Sequence, residues 1–319
     1  MKRVLIADRT HEVLGEKLRE AGFEVSVEPD HDYESLMQAA QGCDALVVRS
    51  KVIIDKAFID RVPSLRCIGR VGAGMETIDV DYAESRGIRC LNSPEGNRDA
   101  VGEHAVGLLL ALLDNIARAD AEVRQGLWRR EANRGLELGS LTVGIIGYGN
   151  MGRAFAKRLS GFGCRVIFYD KYLDNLDDLE NLDILDNLER VSLETLQREA
   201  DVVSFHVPLT DETRHYLDDG FIEAMAKPFF VVNTARGAVV DTEALVRGLE
   251  CGKVRGAALD VLEYENMQAD ALGDVPPSLQ YLMRSQRTVL TPHVAGWTVE
   301  SKYKLAAVLA DKIIDVFSV

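Results

Sequence analysis

An apolar run from Leu141 to Ile146 passes directly into Gly147, Gly149 and Gly152 and then into a helical pattern. Few local patterns restrict a fold more. In G-x-G-x-x-G spacing the first glycine allows a tight turn from strand to helix. The second lets the backbone approach a pyrophosphate, and the third lets the helix pack close to the strand. Phosphates then sit at a helix N-terminus, where free N–H groups and the macrodipole favour negative charge. Tyr148, Asn150 and Met151 complete the loop and count with it as candidate cofactor contacts. A second strand pattern, Arg165 to Tyr169, ends in Asp170, 23 residues after Gly147. That is close to the ~20 residues expected for a carboxylate that binds ribose hydroxyls. Such an acid repels a 2′-phosphate, so the pattern selects NAD over NADP.

The rest of the chain repeats the alternation. With 319 residues there is room for two domains. Strand patterns fall at Val4–Ala7, Glu24–Val27, Ala45–Val48, Cys67–Val71 and Ile88–Leu91, with helical patterns at His11–Ala21, Glu34–Gln41, Asp55–Arg61 and Val80–Arg86. A β-α series of this kind implies a parallel sheet covered on both faces. One long helix is expected from Asp99 to Arg124. Its apolar stretch, Ala105 to Leu113, suits an interdomain or subunit-contact helix. A second series follows, with strands at Thr142–Ile146, Val166–Tyr169, Asp201–Val207, Phe229–Thr234, Gly256–Val261 and Thr288–Leu290. A terminal helix is expected from Glu300 to Phe317. Six strands with intervening helices match a dinucleotide-binding doubly wound sheet.

Composition narrows the setting. The net charge of −14 argues against nucleic acid or anionic membrane as partner. Excess acid between Asp174 and Glu189 reads as a solvated surface. Five scattered cysteines without a C-x-x-C pair fit a reducing compartment. The N-terminus reads as a strand, not a signal peptide, and no apolar segment reaches membrane-spanning length, so a cytoplasmic location is expected. No His/Cys cluster has metal-ligand spacing.

Three further strand ends carry chemistry. Val231 to Asn233 leads through Thr234 and Ala235 to Arg236, whose planar fork suits a carboxylate. Leu259-Asp260-Val261 leads to Glu263 and Glu265, and Thr291-Pro292 leads to His293. Ligands bind at the carboxyl ends of strands in such sheets. A histidine with a carboxylate neighbour is oriented and has its imidazolium favoured, as a proton donor to a carbonyl requires.

Over its whole length the chain resembles the D-isomer-specific 2-hydroxyacid dehydrogenase family. The resemblance rests on Val71-Gly72-Ala73-Gly74, Gly96-Asn97 with Glu103-His104-Ala105, the glycine loop, Asp201 to Thr210, Asn233 to Gly237, Leu259-Asp260-Val261 with Glu265, and Pro292-His293. It implies two doubly wound parallel-sheet α/β domains. One is a Rossmann NAD-binding domain over 98–292; the other is a discontinuous, flavodoxin-like substrate domain from 1–97 and 293–319. It also implies roles. Arg236 binds the substrate carboxylate and 2-oxygen, His293 is the acid/base, and Glu265 pairs with it. Asp260 contacts the nicotinamide carboxamide. His206, Pro208, Thr213, Thr234, Ala235 and Gly296 line the cofactor, and the backbone of Val71, Gly72 and Ala73 holds the substrate carboxylate. In the reducing direction a 2-oxo acid clamped by Arg236 receives hydride at its 2-carbon and a proton from His293.

Within the family, the phosphoglycerate dehydrogenases are the nearest pattern, which implies oxidation of D-3-phosphoglycerate to 3-phosphohydroxypyruvate in serine biosynthesis. Arg49, Arg70, Asn97 and Arg130 are the candidate substrate and phosphate contacts, with Arg130 expected to serve the neighbouring subunit of a homodimer. The sequence departs from that pattern in three places. It stops at Val319, where a regulatory domain would follow. Trp297 stands where small residues are frequent and would reshape the substrate pocket. Asn266 replaces the proline that usually follows the acid. Two alternatives stay open: a glyoxylate or hydroxypyruvate reductase, and an NAD-sensing corepressor-like protein.

Overall fold

A computed structural model describes residues 1–173, 188–265 and 275–318. Most of the acidic stretch from Asp174, and Asn266, lie outside these residues. The chain divides into two compact units, Met1–Asp99 with Trp297–Val319, and Ala100–Gly296. The second boundary falls later than the expected 293, so His293 belongs to the second unit.

The first unit holds β1 (Arg3–Ile6), β2 (Glu24–Val27), β3 (Ala45–Val48), β4 (Cys67–Arg70) and β5 (Arg89–Leu91). All pair in parallel, in the order β2-β1-β3-β4-β5. That is the flavodoxin-like order. β3 is buried along its whole length, as expected of an apolar strand covered on both faces. Helices α1 (Val13–Glu20), α2 (Tyr33–Ala39), α3 (Lys56–Arg61) and α4 (Val80–Ser85) alternate with the strands. The terminal helix, Val299–Phe317, starts at a capping box made by Thr298 and Ser301. It buries Leu309, Ala310 and Ile313 against Val4, Ile6 and Val47 of the same unit.

The second unit begins within α5 (Arg98–Leu113). The long helix expected there is two helices, because Asn115 takes a left-handed conformation (φ 54°) ahead of α6 (Ile116–Arg124), and the pair bends by 61°. Asn is among the few residues that tolerate this geometry. The apolar stretch of α5 is core: Ala105, Leu108, Leu109 and Leu113 pack with Val143, Ile145 and Val232. It is therefore not an exposed stripe for a subunit contact. Among the described residues no single helix is long and apolar enough to cross a membrane.

The sheet of this unit holds β6 (Thr142–Ile146), β7 (Arg165–Tyr169), β8 (Leu188–Arg190), β9 (Val202–Phe205), β10 (Phe229–Asn233), β11 (Val254–Leu259) and β12 (Thr288–Leu290). The order is β12-β11-β10-β9-β6-β7-β8, all parallel. β8 was not expected. It is short, largely exposed, lacks an apolar run and, among the described residues, pairs only with β7. Helices α7 (Asn150–Leu159), α8 (Leu193–Glu199), α9 (Asp219–Ala224), α10 (Thr242–Glu250) and α11 (Pro277–Arg284) connect the strands. The chain runs outward from β6 through β7 and β8, then returns to β9 on the other side of β6. This switch places the ligand crevice at the carboxyl ends of β6 and β9.

Candidate active site

The glycine loop joins β6 to α7 at that switch. Gly147 has φ 88°, and a Cβ there would come within 2.7 Å of the His206 carbonyl. A Cβ on Gly152 would lie 2.1 Å from the Gly147 carbonyl, so only glycine lets α7 approach the strand. Gly149 is the opposite case: it is exposed, and a Cβ would meet nothing within 4 Å. That open space at the N-terminus of α7 is the cradle a pyrophosphate needs. Asp170, the acid expected to meet the ribose, accepts from the backbone N–H of Tyr148 (2.7 Å) and of Tyr172 (2.9 Å) and so fixes the loop. The loop thus fits NAD. Tyr148 contributes its backbone only, since its ring is buried and stacked on Phe168 with centroids 3.9 Å apart. Asn150 and Met151 are half-buried at the start of α7.

Beside the loop, His206 turns its ring inward. Nε2 pairs with Ser204 Oγ at 2.8 Å and the ring tilts against Phe155. Burial pushes its pKa down to about 3, which favours the neutral imidazole. Its backbone, not its ring, borders Gly147. Thr213 is also turned inward: its hydroxyl donates to the Pro208 carbonyl at 2.5 Å and closes the 208–213 turn. Thr234 Oγ1 is buried and has no partner among the described residues.

The candidate acid/base pair stands beyond the ends of β11 and β12. His293 Nδ1 lies 2.8 Å from Glu265 Oε1. With Glu265 ionised, Nδ1 carries the proton and Nε2 is the nitrogen left to exchange one with a ligand. Glu265 Oε2 accepts from the Leu262 N–H at 3.1 Å, which orients the carboxylate. His293 itself has φ 54°, a left-handed conformation that costs a non-glycine residue about 1–3 kcal/mol. Asp260 compensates. Its carbonyl accepts from His293 N at 2.7 Å; its carboxylate accepts from Val294 N, Ala295 N and Thr291 Oγ1 at 2.9, 2.9 and 2.6 Å. His104 Nε2 stands 3.1 Å from the same Thr291 hydroxyl and 3.4 Å from Asp260 Oδ1. Burial alone would push the Asp260 carboxyl up, but His104, Thr291 and the two N–H groups outweigh it and hold it below the ordinary range. Asp260 is thus the anchor of the turn carrying His293, through Ala295.

Arg236 follows β10. Asn233, fully buried, shapes its turn by accepting from Ala235 N at 3.0 Å and donating to the Arg236 carbonyl at 2.9 Å. Gly237 lets this turn meet the β11 loop, since a Cβ there would fall 2.0 Å from the Leu262 carbonyl. Asn233 and His104 were visible in the sequence as motif residues without a role. The folded chain shows what they hold: Asn233 its own turn, and His104, on α5, the Thr291 hydroxyl.

The remaining expected substrate residues, Arg130 apart, belong to the first unit. In the first unit the Arg49 guanidinium stands over the Trp297 ring, 5.5 Å from its centroid, so the structure brings those two together. Arg70 folds back over Gly72. Asn92 fixes the same loop by donating to the Ala73 carbonyl at 2.6 Å, and Ser93 N donates to the Gly72 carbonyl at 2.9 Å. Val71 is buried, and Asn97 has a buried Oδ1. Arg130 is exposed on the second unit.

Residues 106–295 match the family model described as D-isomer specific 2-hydroxyacid dehydrogenase, NAD binding domain. Hydroxypyruvate reductase of Thermotoga maritima is 37% identical, over 91% of this chain and 90% of its own. D-3-phosphoglycerate dehydrogenase of Archaeoglobus fulgidus is 35% identical over 98% of this chain, which spans only 57% of that longer protein. Among solved structures, D-lactate dehydrogenase of Aquifex aeolicus with NAD and lactic acid superposes with a TM-score of 0.80 at 26% identity, covering 99% of this chain and 94% of its own. The chain belongs to the D-isomer-specific 2-hydroxyacid dehydrogenase family, whose members are NAD-dependent oxidoreductases.

Proposed function

We propose that this protein is an NAD-dependent D-2-hydroxyacid dehydrogenase, assembled as a homodimer, that oxidises D-3-phosphoglycerate to 3-phosphohydroxypyruvate. The observation carrying the dehydrogenase reading is the His293–Glu265 pair, 2.8 Å apart and held on a strained turn. Bound NAD supplies the hydride acceptor. The chain supplies the rest. Arg236 clamps the substrate carboxylate and steadies charge on the 2-oxygen. His293 Nε2 takes the hydroxyl proton during oxidation and returns it during reduction, while Glu265 stabilises the imidazolium. Asp260 keeps the turn in place, and the nicotinamide carboxamide is its proposed further contact. The substrate's carboxylate is also assigned to the Val71–Ala73 backbone.

The phosphorylated substrate is supported by Arg49 and Arg70, two guanidinium groups of the first unit whose planar forks suit a phosphate. A second reading, a hydroxypyruvate or glyoxylate reductase, is favoured by Trp297: it occupies the face of Arg49, and it is a bulky group where a phosphate would need space. NADH oxidation with phosphohydroxypyruvate, hydroxypyruvate and glyoxylate decides between them. A kcat/KM at least about 100-fold higher for the phosphorylated acid, a gap of about 2.7 kcal/mol, is the expected result. Preference for either unphosphorylated acid makes the protein a reductase.

A further inference from the structure

One half-buried carboxylate next to the acid/base pair has no part in the chemistry described above. Glu263 lies two residues before Glu265 on the same loop, and its side chain is only 15% exposed. Both of its oxygens are engaged. Oε2 accepts from Thr242 N at 3.1 Å and from Thr242 Oγ1 at 2.7 Å; Oε1 pairs with His215 Nε2 at 2.6 Å. Thr242 is the first residue of α10, and His215 is held in a left-handed conformation (φ 53°), its N–H donating to the Ala238 carbonyl at 2.7 Å. Glu263 therefore ties the β11 loop to the segment that runs from Arg236 into α10.

The same two segments touch at a second point. A Cβ on Gly237 would fall 2.4 Å from Glu263 N as well as 2.0 Å from the Leu262 carbonyl, so the backbones are in direct contact. Beyond that contact the turn is closed on itself: Glu265 N donates to the Leu262 carbonyl at 3.2 Å and Glu265 Oε2 accepts from Leu262 N at 3.1 Å. Moving Leu262 therefore moves the Glu265 carboxylate. We infer that Glu263 is a positioning residue of the dehydrogenase: by fixing the 262–265 turn against the Arg236 segment, it sets how Glu265 meets His293. This rests on the dehydrogenase reading. A carboxylate at the start of α10 would also stabilise that helix through its dipole, and a purely structural role would go no further than that.

The two roles separate under Glu263→Ala and Glu263→Gln. The amide keeps an oxygen for Thr242 and turns an NH2 donor toward His215 Nε2, so it should rescue most of what alanine loses. Misplacement of a catalytic group by about 1 Å can cost 100-fold. Glu263→Ala should thus lower kcat by about 10- to 100-fold while KM for NADH stays within about twofold. The low-field NMR signal of the His293 Nδ1 proton should be present in wild type and Glu263→Gln, absent in Glu265→Ala, and lost or broadened in Glu263→Ala. Thr242→Val, which removes one donor and leaves the loop intact, should show a smaller change of the same kind and serves if the alanine variant does not fold. A Glu263→Ala protein with wild-type kcat and an unchanged Nδ1 signal, altered only in melting temperature, would overturn the inference. The NMR signal needs no turnover, so wild-type protein that shows it yet reduces no 2-oxo acid would count against the dehydrogenase reading alone.

Discussion

His293 sits in a backbone conformation that most residues avoid, and the groups around it show why it can stay there. Asp260 accepts from three successive backbone positions of the turn, and its burial makes those bonds costly to break. Replacing His293 with alanine leaves the turn and its anchors in place and removes only the imidazole. Turnover should fall by about 100- to 10,000-fold, the usual worth of a positioned acid or base. NADH binding, followed by fluorescence, should be unchanged, because the glycine loop and Asp170 do not depend on this side chain. Near-normal turnover would take the proton-transfer role away from His293. At this scale the sequence was legible for placement: Arg236, Glu265 and His293 all follow the carboxyl ends of strands, as their patterns led one to expect. It was silent on His104 and Glu263, whose contacts join segments far apart in the chain, and on Asn233, whose side chain bonds only two and three residues ahead but whose turn has no apolar pattern to read. Tyr148, His206 and Thr213 were chosen for their place in a motif, yet their side chains turn into the core or their own turn.

The strand-to-helix turn at β6–α7 puts two glycines under opposite constraints. Gly152 has no room, with the Gly147 carbonyl where a Cβ would go; Gly149 has open space in front of it. Gly152→Ala should push α7 off the strand, destabilising the protein by about 1–3 kcal/mol and weakening NADH binding at the same time. Gly149→Ala should leave the melting temperature nearly unchanged and still weaken NADH binding, since the added methyl enters the space a pyrophosphate would use. Equal NADH affinity in wild type and Gly149→Ala, measured by fluorescence titration, would remove the loop from cofactor binding. Element patterns of this kind were readable because apolar runs and glycine spacing are local. The break between α5 and α6 was not, since the apolar periodicity gives no sign that Asn115 adopts φ 54°. β8 escaped for the opposite reason: a three-residue edge strand has no pattern to read.

For the whole molecule, the open matter is assembly, and the structure changes the grounds for expecting a dimer. The apolar stretch of α5 that first suggested a subunit contact is spent inside its own unit. What the second unit does expose is Ile116 and Val123 on α6, each about half exposed, and Trp128 shortly after it, at 78%. Large apolar side chains grouped along one short segment are a common mark of an interface, and Trp is prominent among the residues that anchor one. The chain's net charge of −14 opposes association through unspecific contact, so a partner surface would have to cover these groups specifically. A second copy of the chain is the occupant proposed above. Light scattering should therefore give twice the chain mass of 35.3 kDa. Ile116→Asp combined with Trp128→Asp should give a folded monomer, recognised by unchanged circular dichroism, because neither side chain is part of a buried core. A wild-type mass of one chain at every concentration would mean that α6 and Trp128 face solvent for another reason, and Arg130 would then have no neighbouring subunit to serve.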